Sequence, residues 1–204
     1  MTASRNNSKT VLLVMDIQET MMSYLPDPKP LLAKVKEAIE GARAANIEVI
    51  YVILSFRKGH PEISSRHKRF SRLKDSGFMF TEGHEGTALH NAIVPLEEEL
   101  ILHKKRVSAF AGSDLEMVLK SKGVDNLVIA GFATSGIVLH TVTEGTDKDY
   151  HITVLSDACA DPDPEIHEFL TRRLFQASCA VMTADHWVGS IRKVDPSGTD
   201  TTLL

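Results

Sequence analysis

The chain has 204 residues, 43% of them hydrophobic, enough for one domain with a full core and too few for two large ones. A formal net charge of -4 and a pI of about 6.1 give no electrostatic reason to expect nucleic acid or an anionic membrane as partner, which leaves a small molecule or another copy of the chain, a homo-oligomer. Residues 1–9 are polar, without an apolar stretch behind a basic start, and no run approaches the ~20 apolar residues of a membrane span, so the expected location is cytoplasmic.

Apolar runs and helical periods alternate along the chain. After the tail come Val11–Met15, then Val49–Leu54, Leu100–His103, Leu127–Ala130 and Ile152–Leu155; runs apolar at consecutive positions suit strands covered on both faces, as in a parallel sheet. Between them, helical spacing is expected over 31–45, 114–122, 135–148 and 164–176, with Ser113 and Glu116 as a capping pair and Gly123 as the stop. Strand, helix, strand with short links predicts an α/β three-layer α/β/α sandwich. Residues 55–86 break the rhythm and read as a long functional loop or an oligomer contact, with Phe56, Phe70, Phe78, Met79 and Phe80 as surplus apolar surface. The domain is expected over 10–192, between disordered residues 1–9 and a flexible 193–204. Cys159 and Cys179 are too few for a disulfide framework and read as core.

Three segments carry chemistry. Asp16 directly follows the first strand, and ligands collect at the carboxyl ends of parallel strands; taken alone, it reads as readily as a cap or loop carboxylate. Lys104 ends the strand-like Leu100–His103 and opens a basic cluster that by itself is an ordinary solvated face. Gly131–Thr141 is a strand end, two glycines and a helix start, where outward N–H groups hold anions or oxyanions, or where a strand simply turns into a helix.

In order and approximate spacing, Asp16-Ile17-Gln18, the stretch Lys104–Phe110, Gly131–Thr141 and Ser156–Ala160 resemble the isochorismatase-like superfamily of cysteine hydrolases over about residues 10–190. The resemblance implies a Rossmann-like, six-stranded parallel sheet between helices and an activity on amides or on a vinyl ether. It matches Asp16 to the catalytic acid or base, Lys104 to the catalytic lysine and Ile137 to the nucleophile position. The Ala133 and Ile137 amides match the oxyanion donors, with a cis Phe132–Ala133 peptide, and Gln18, Phe132, Thr134 and Gly136 are expected around the substrate.

Isoleucine at position 137 offers neither a nucleophile nor an ionisable group, so covalent thioester chemistry is excluded there. No cofactor and no metal are expected, since His60 and His67 lack the nearby carboxylate of the metal-binding members. What remains is acid–base chemistry, of which vinyl ether hydrolysis is the most concrete form; proton delivery from Asp16 requires that burial raise its pKa more than Lys104 lowers it. Arg57, Lys58, Arg66, Lys68 and Arg69 are candidates to meet a dicarboxylate, against the plainer expectation of a solvated loop. Asp157 is expected to order amides near the glycine turn. A small-molecule-binding protein and an oligomeric scaffold with an inert site stand as alternatives to the hydrolase.

Overall fold

A computed structural model describes residues 9–75 and 80–192. The expected tails therefore lie outside the described residues, except that the first strand already includes Lys9. Six strands, β1 (Lys9–Met15), β2 (Glu48–Leu54), β3 (Leu100–Lys104), β4 (Val124–Phe132), β5 (His151–Ala160) and β6 (Ala180–Met182), form one parallel sheet in the order β3-β2-β1-β4-β5-β6.

Side-chain alternation along the strands builds two cores. Val11, Leu13 and Met15 of β1 face one side with Ile50, Val52, Leu127, Ile129 and Val154, while Leu12 and Val14 face the other with Val49, Tyr51, Val128 and Ala130. Both faces are apolar because both are covered. Helix α2 (Lys29–Ala44) and helix α7 (Ala184–Arg192) close the second face with Leu31, Val35, Ile39, Trp187 and Val188. Helices α4 (Leu115–Ser121) and α5 (Leu139–Thr146) close the first with Leu115, Leu119 and Val142. The result is the three-layer α/β/α sandwich, and Gly41 allows α2 to reach α7, since a Cβ there would strike the Val188 side chain.

Several expected helices differ in detail. The 135–148 helix begins with a π-type turn over Thr134–Val138, because Gly136 leaves helical geometry at φ -99° and ψ -111°; regular α5 starts only at Leu139. The 164–176 helix is regular only over α6 (Pro164–Phe169), then widens into a π turn, Leu170–Leu174, and tightens at Phe175–Ala177. At α4, the Ser113 hydroxyl accepts from the Leu115 amide, and Gly123 at φ +64° ends the turn that follows.

The segment 55–86 is not a loop throughout. A short helix α1 (Glu19–Met22) lies after β1, and an unforeseen helix α3 (Lys68–Asp75) lies within the segment. Phe70 and Leu73, one turn apart, turn inward onto Leu54, Phe56, Phe80 and Val107 in a third, small core. Phe56, Phe70 and Phe80 are thus consumed inside the protomer, which removes them as the oligomer contact expected from composition; Phe78 and Met79 lie outside the described residues.

Candidate active site

In the strand order, the chain reverses direction between β1 and β4, and such a switch point opens a crevice at the carboxyl ends of the strands. Asp16 leaves β1 there with φ +54°, a left-handed conformation that aspartate tolerates better than most residues, held by its amide donating to the Val52 carbonyl at 2.8 Å. Lys104 ends β3, two strands away, and reaches back so that Nζ lies 2.9 Å from Asp16 Oδ2 and donates to the Arg106 carbonyl at 3.0 Å. The pair is buried, Asp16 4% and Lys104 2% exposed, and Asp16 Oδ1 has no hydrogen-bond partner among the described residues.

Burial dominates the electrostatics of both groups. Loss of hydration pushes the Asp16 carboxyl above its ordinary range although Lys104 pulls it down, and the same loss pushes Lys104 below its ordinary range although Asp16 pulls it up. Arg69 adds to the depression of Lys104 by like-charge repulsion.

The pair stands at a cavity of about 330 Å³ that Phe132, Ala133, Gly136 and Ile137 also line. Gly131 brings β4 close to β1, since a Cβ there would collide with the Met15 carbonyl oxygen. The Phe132–Ala133 peptide is cis. Ile137 is 2% exposed and belongs at once to the cavity wall and to the first core. Met21, Phe70 and Phe80 close the apolar side, so the small third core doubles as a wall of the cavity.

Two of the expected substrate residues are turned elsewhere. Gln18 is fully buried outside the lining; its Nε2 donates to the carbonyls of Leu54 and Thr87 at 3.0 and 2.7 Å, and its Oε1 accepts from the Leu54 amide at 3.0 Å. It clamps the ends of β2 and of the 81–88 loop. Thr134 is likewise fully buried, with Oγ1 2.8 Å from His167 Nδ1. Asp157 does not serve the glycine turn either: Oδ1 accepts from the Ala184 amide at 2.7 Å and caps α7. The carboxylate that orders the turn is Asp161, unforeseen, whose Oδ2 accepts from the Ser135 amide at 2.7 Å and whose Oδ1 accepts from the Asp163 amide at 3.2 Å. Its position at the carboxyl end of β5, in Asp161-Pro162-Asp163-Pro164, was the available signal.

Among the five basic candidates of the 55–86 segment only Arg69 reaches the cavity lining. Arg57 instead pairs with Glu62 at 2.7 Å. His60 lies 3.2 Å from the Thr81 hydroxyl and His67 stacks on Phe70 at 4.4 Å, and no cluster of three potential metal ligands occurs among the described residues. Neither cysteine lines the cavity. Burial pushes the Cys159 thiol up to about 12 and the Cys179 thiol to about 11.

Comparison with known proteins agrees with this architecture. The sequence matches the Isochorismatase domain over residues 10–186. A ureidoacrylate amidohydrolase, RutB, from Stutzerimonas stutzeri is 28% identical, over 92% of this chain and 81% of its own. A protein named "Probable inactive nicotinamidase" from Arabidopsis thaliana is 32% identical, over 78% of this chain and 84% of its own. In structure, a cysteine hydrolase from Pseudomonas syringae pv. phaseolicola superposes with a TM-score of 0.83 at 20% identity, covering 90% of this chain and 92% of its own, which speaks to the fold. With the family match spanning nearly the whole sandwich and the crevice between β1 and β4, the chain belongs to the isochorismatase family of hydrolases.

Proposed function

We propose that the protein is a hydrolase that works without a thiol, cleaving a vinyl ether of the isochorismate type with Asp16 as proton donor. The observation that carries this reading is the buried Asp16 Oδ1, without a partner among the described residues, on a carboxyl group whose pKa burial has raised at the edge of a largely apolar cavity. A carboxyl group whose affinity for its proton burial has raised is suited to general-acid catalysis.

In the step this supports, Asp16 protonates the terminal vinyl carbon, and the C=C electron pair forms the new C–H bond and leaves an oxocarbenium ion. Water adds to the cationic carbon and returns a proton to the Asp16 carboxylate. The hemiketal then collapses to a ketone and an alcohol. Lys104, 2.9 Å away, stabilises the carboxylate in the interval between losing and regaining the proton. The amides of Ala133 and Ile137 at the cavity wall are suited to hold a substrate oxygen, and Arg69 a carboxylate. Ile137 keeps this part of the wall apolar, and no nucleophile is asked of it.

The relative named as an inactive nicotinamidase favours a second reading, a small-molecule-binding protein on the same fold. Isochorismate turnover, followed by coupled detection of the released ketone, separates the two. Wild type is expected to turn over, and Asp16→Asn to lose at least ~100-fold in turnover while binding survives better. Saturable binding with no product, or full turnover by Asp16→Asn, would overturn the catalytic assignment.

A further inference from the structure

The cavity mouth carries a charge pattern that neither the Asp16–Lys104 pair nor the packing of α3 requires. Between Ser55 and Gly86 there are seven lysines and arginines against four acidic residues, a net +3, in a chain of net charge -4. Two of those acids are already engaged, Glu62 by Arg57 and Glu82 by Lys105 at 2.6 Å. Lys58, Arg66, Lys68, Arg72 and Lys74 are all exposed, and none has an ion-pair partner among the described residues. Three of them belong to α3, the helix whose Phe70 and Leu73 wall the cavity and whose Arg69 lines it. Helical spacing puts Arg72 one turn from Arg69, so the basic face continues from the cavity wall onto the outer surface.

Inside the cavity the other charges are matched. Asp16 has Lys104, and Asp161 has the amides of Ser135 and Asp163. The unmatched charge of the lining is therefore Arg69, and it has the same sign as the surface that leads to it. A solvated face normally mixes signs, whereas a run of one sign beside a low-dielectric crevice concentrates counter-ions there and speeds their capture.

We infer that the outer face of α3 is a capture surface for an organic anion, with Lys68, Arg72 and Lys74 drawing a carboxylate-bearing substrate to the mouth and Arg69 receiving it within. The inference rests on the cavity being the site of the anionic substrate proposed above, and it adds the route by which that substrate enters.

The test is the charge reversal Lys68→Glu with Arg72→Glu, with the neutral pair Lys68→Gln and Arg72→Gln as a second variant should the reversal fail to fold. With isochorismate as substrate, kcat/KM is measured at about 0.01 M and about 0.15 M salt, where screening lengths are about 30 and 8 Å. Wild type is expected to fall severalfold to about tenfold across that range. The reversal should start about tenfold lower and show a flattened salt response, with kcat unchanged. Equal salt responses in variant and wild type, or a loss confined to kcat, would overturn the inference. If isochorismate is not turned over, calorimetry with isophthalate and the neutral isophthalamide gives an independent answer. Tighter, salt-sensitive binding of the dianion, lost in the reversal, sustains the capture surface even though the missing turnover has already overturned the isochorismate reading. Equal binding of the two probes, or binding of neither, refutes the capture surface itself.

Discussion

Lys104→Met removes the cation 2.9 Å from Asp16 and keeps an apolar chain of similar length at a position 2% exposed. The carboxylate is then left with neither oxygen paired to a side chain among the described residues, since Oδ1 has no partner there to begin with. Breaking a buried pair from one side costs about 3–5 kcal/mol, which at ~2–4 °C per kcal/mol for a domain of this size is a fall in Tm of about 6–20 °C. Protonation of Asp16 limits that cost, and the sign can be worked out. Burial already raises the folded pKa of Asp16 above its ordinary 3.8, and without Lys104 the main opposing pull is gone. The folded variant therefore holds a proton that the unfolded chain releases, so its stability is greatest below 3.8, falls as pH rises through the raised folded value, and is level above it. The deficit against wild type should be largest near pH 7.5 and clearly smaller near pH 5. Asp16→Asn combined with Lys104→Met, which leaves no charge to bury, should recover most of it. Urea and thermal unfolding of the three proteins at both pH values tests this. A deficit equal at the two pH values, or a double variant no more stable than the single, would refute the assignment of a desolvated, mutually dependent pair.

Three further outcomes follow from the site. Iodoacetamide at pH 7.5 should label native protein far more slowly than urea-unfolded protein and leave turnover intact, because burial raises both thiols to about 11 and 12 and neither lines the cavity; turnover lost in step with labelling of a folded protein would contradict this. Asp161→Ala strips the acceptor from the Ser135 and Asp163 amides and should cost about 2–4 kcal/mol in urea unfolding, with a fall in turnover as the turn bearing Gly136 and Ile137 loosens; unchanged turnover would separate Asp161 from the site. Gln18→Ala orphans the Leu54 amide and the Leu54 and Thr87 carbonyls and should destabilise by about 3 kcal/mol or more; a raised KM at unchanged stability would instead make Gln18 a substrate contact.

The strands were legible because each is buried on both faces, which leaves a run such as Val11–Met15 with no polar interruption. Helix α3 was hidden by the same logic in reverse: Phe70 and Leu73 turn inward, two apolar positions lost among charges. The 55–86 segment thus read as a loop with surplus aromatics, when the aromatics were the core that folds it and walls the cavity.

Within the site, the legible residues were those whose chemistry depends on position along one strand. Asp16 directly follows β1 and Lys104 ends β3 at the same edge of the sheet, but position alone left each with a plainer reading, and it was the resemblance to the family that joined them in one site. Gln18, Thr134 and Asp157 were misplaced for a different reason. Each is a polar side chain a few residues from a strand end, where it can turn to the cavity or to a distant buried group that would otherwise stay unpaired, a backbone amide or carbonyl for Gln18 and Asp157 and the His167 ring for Thr134. For Gln18 those groups are the Leu54 amide and two carbonyls, 36 and 69 residues away. For Asp157 the group is the Ala184 amide at the start of α7, 27 residues on. Such debts arise only when distant segments are brought together, so local spacing does not record them. The same argument explains why Asp161, rather than Asp157, serves the glycine turn. Asp161 lies just beyond the last strand pair, Phe132 with Ala160, and is therefore the first β5 carboxylate level with the amide that β4 leaves open at Ser135.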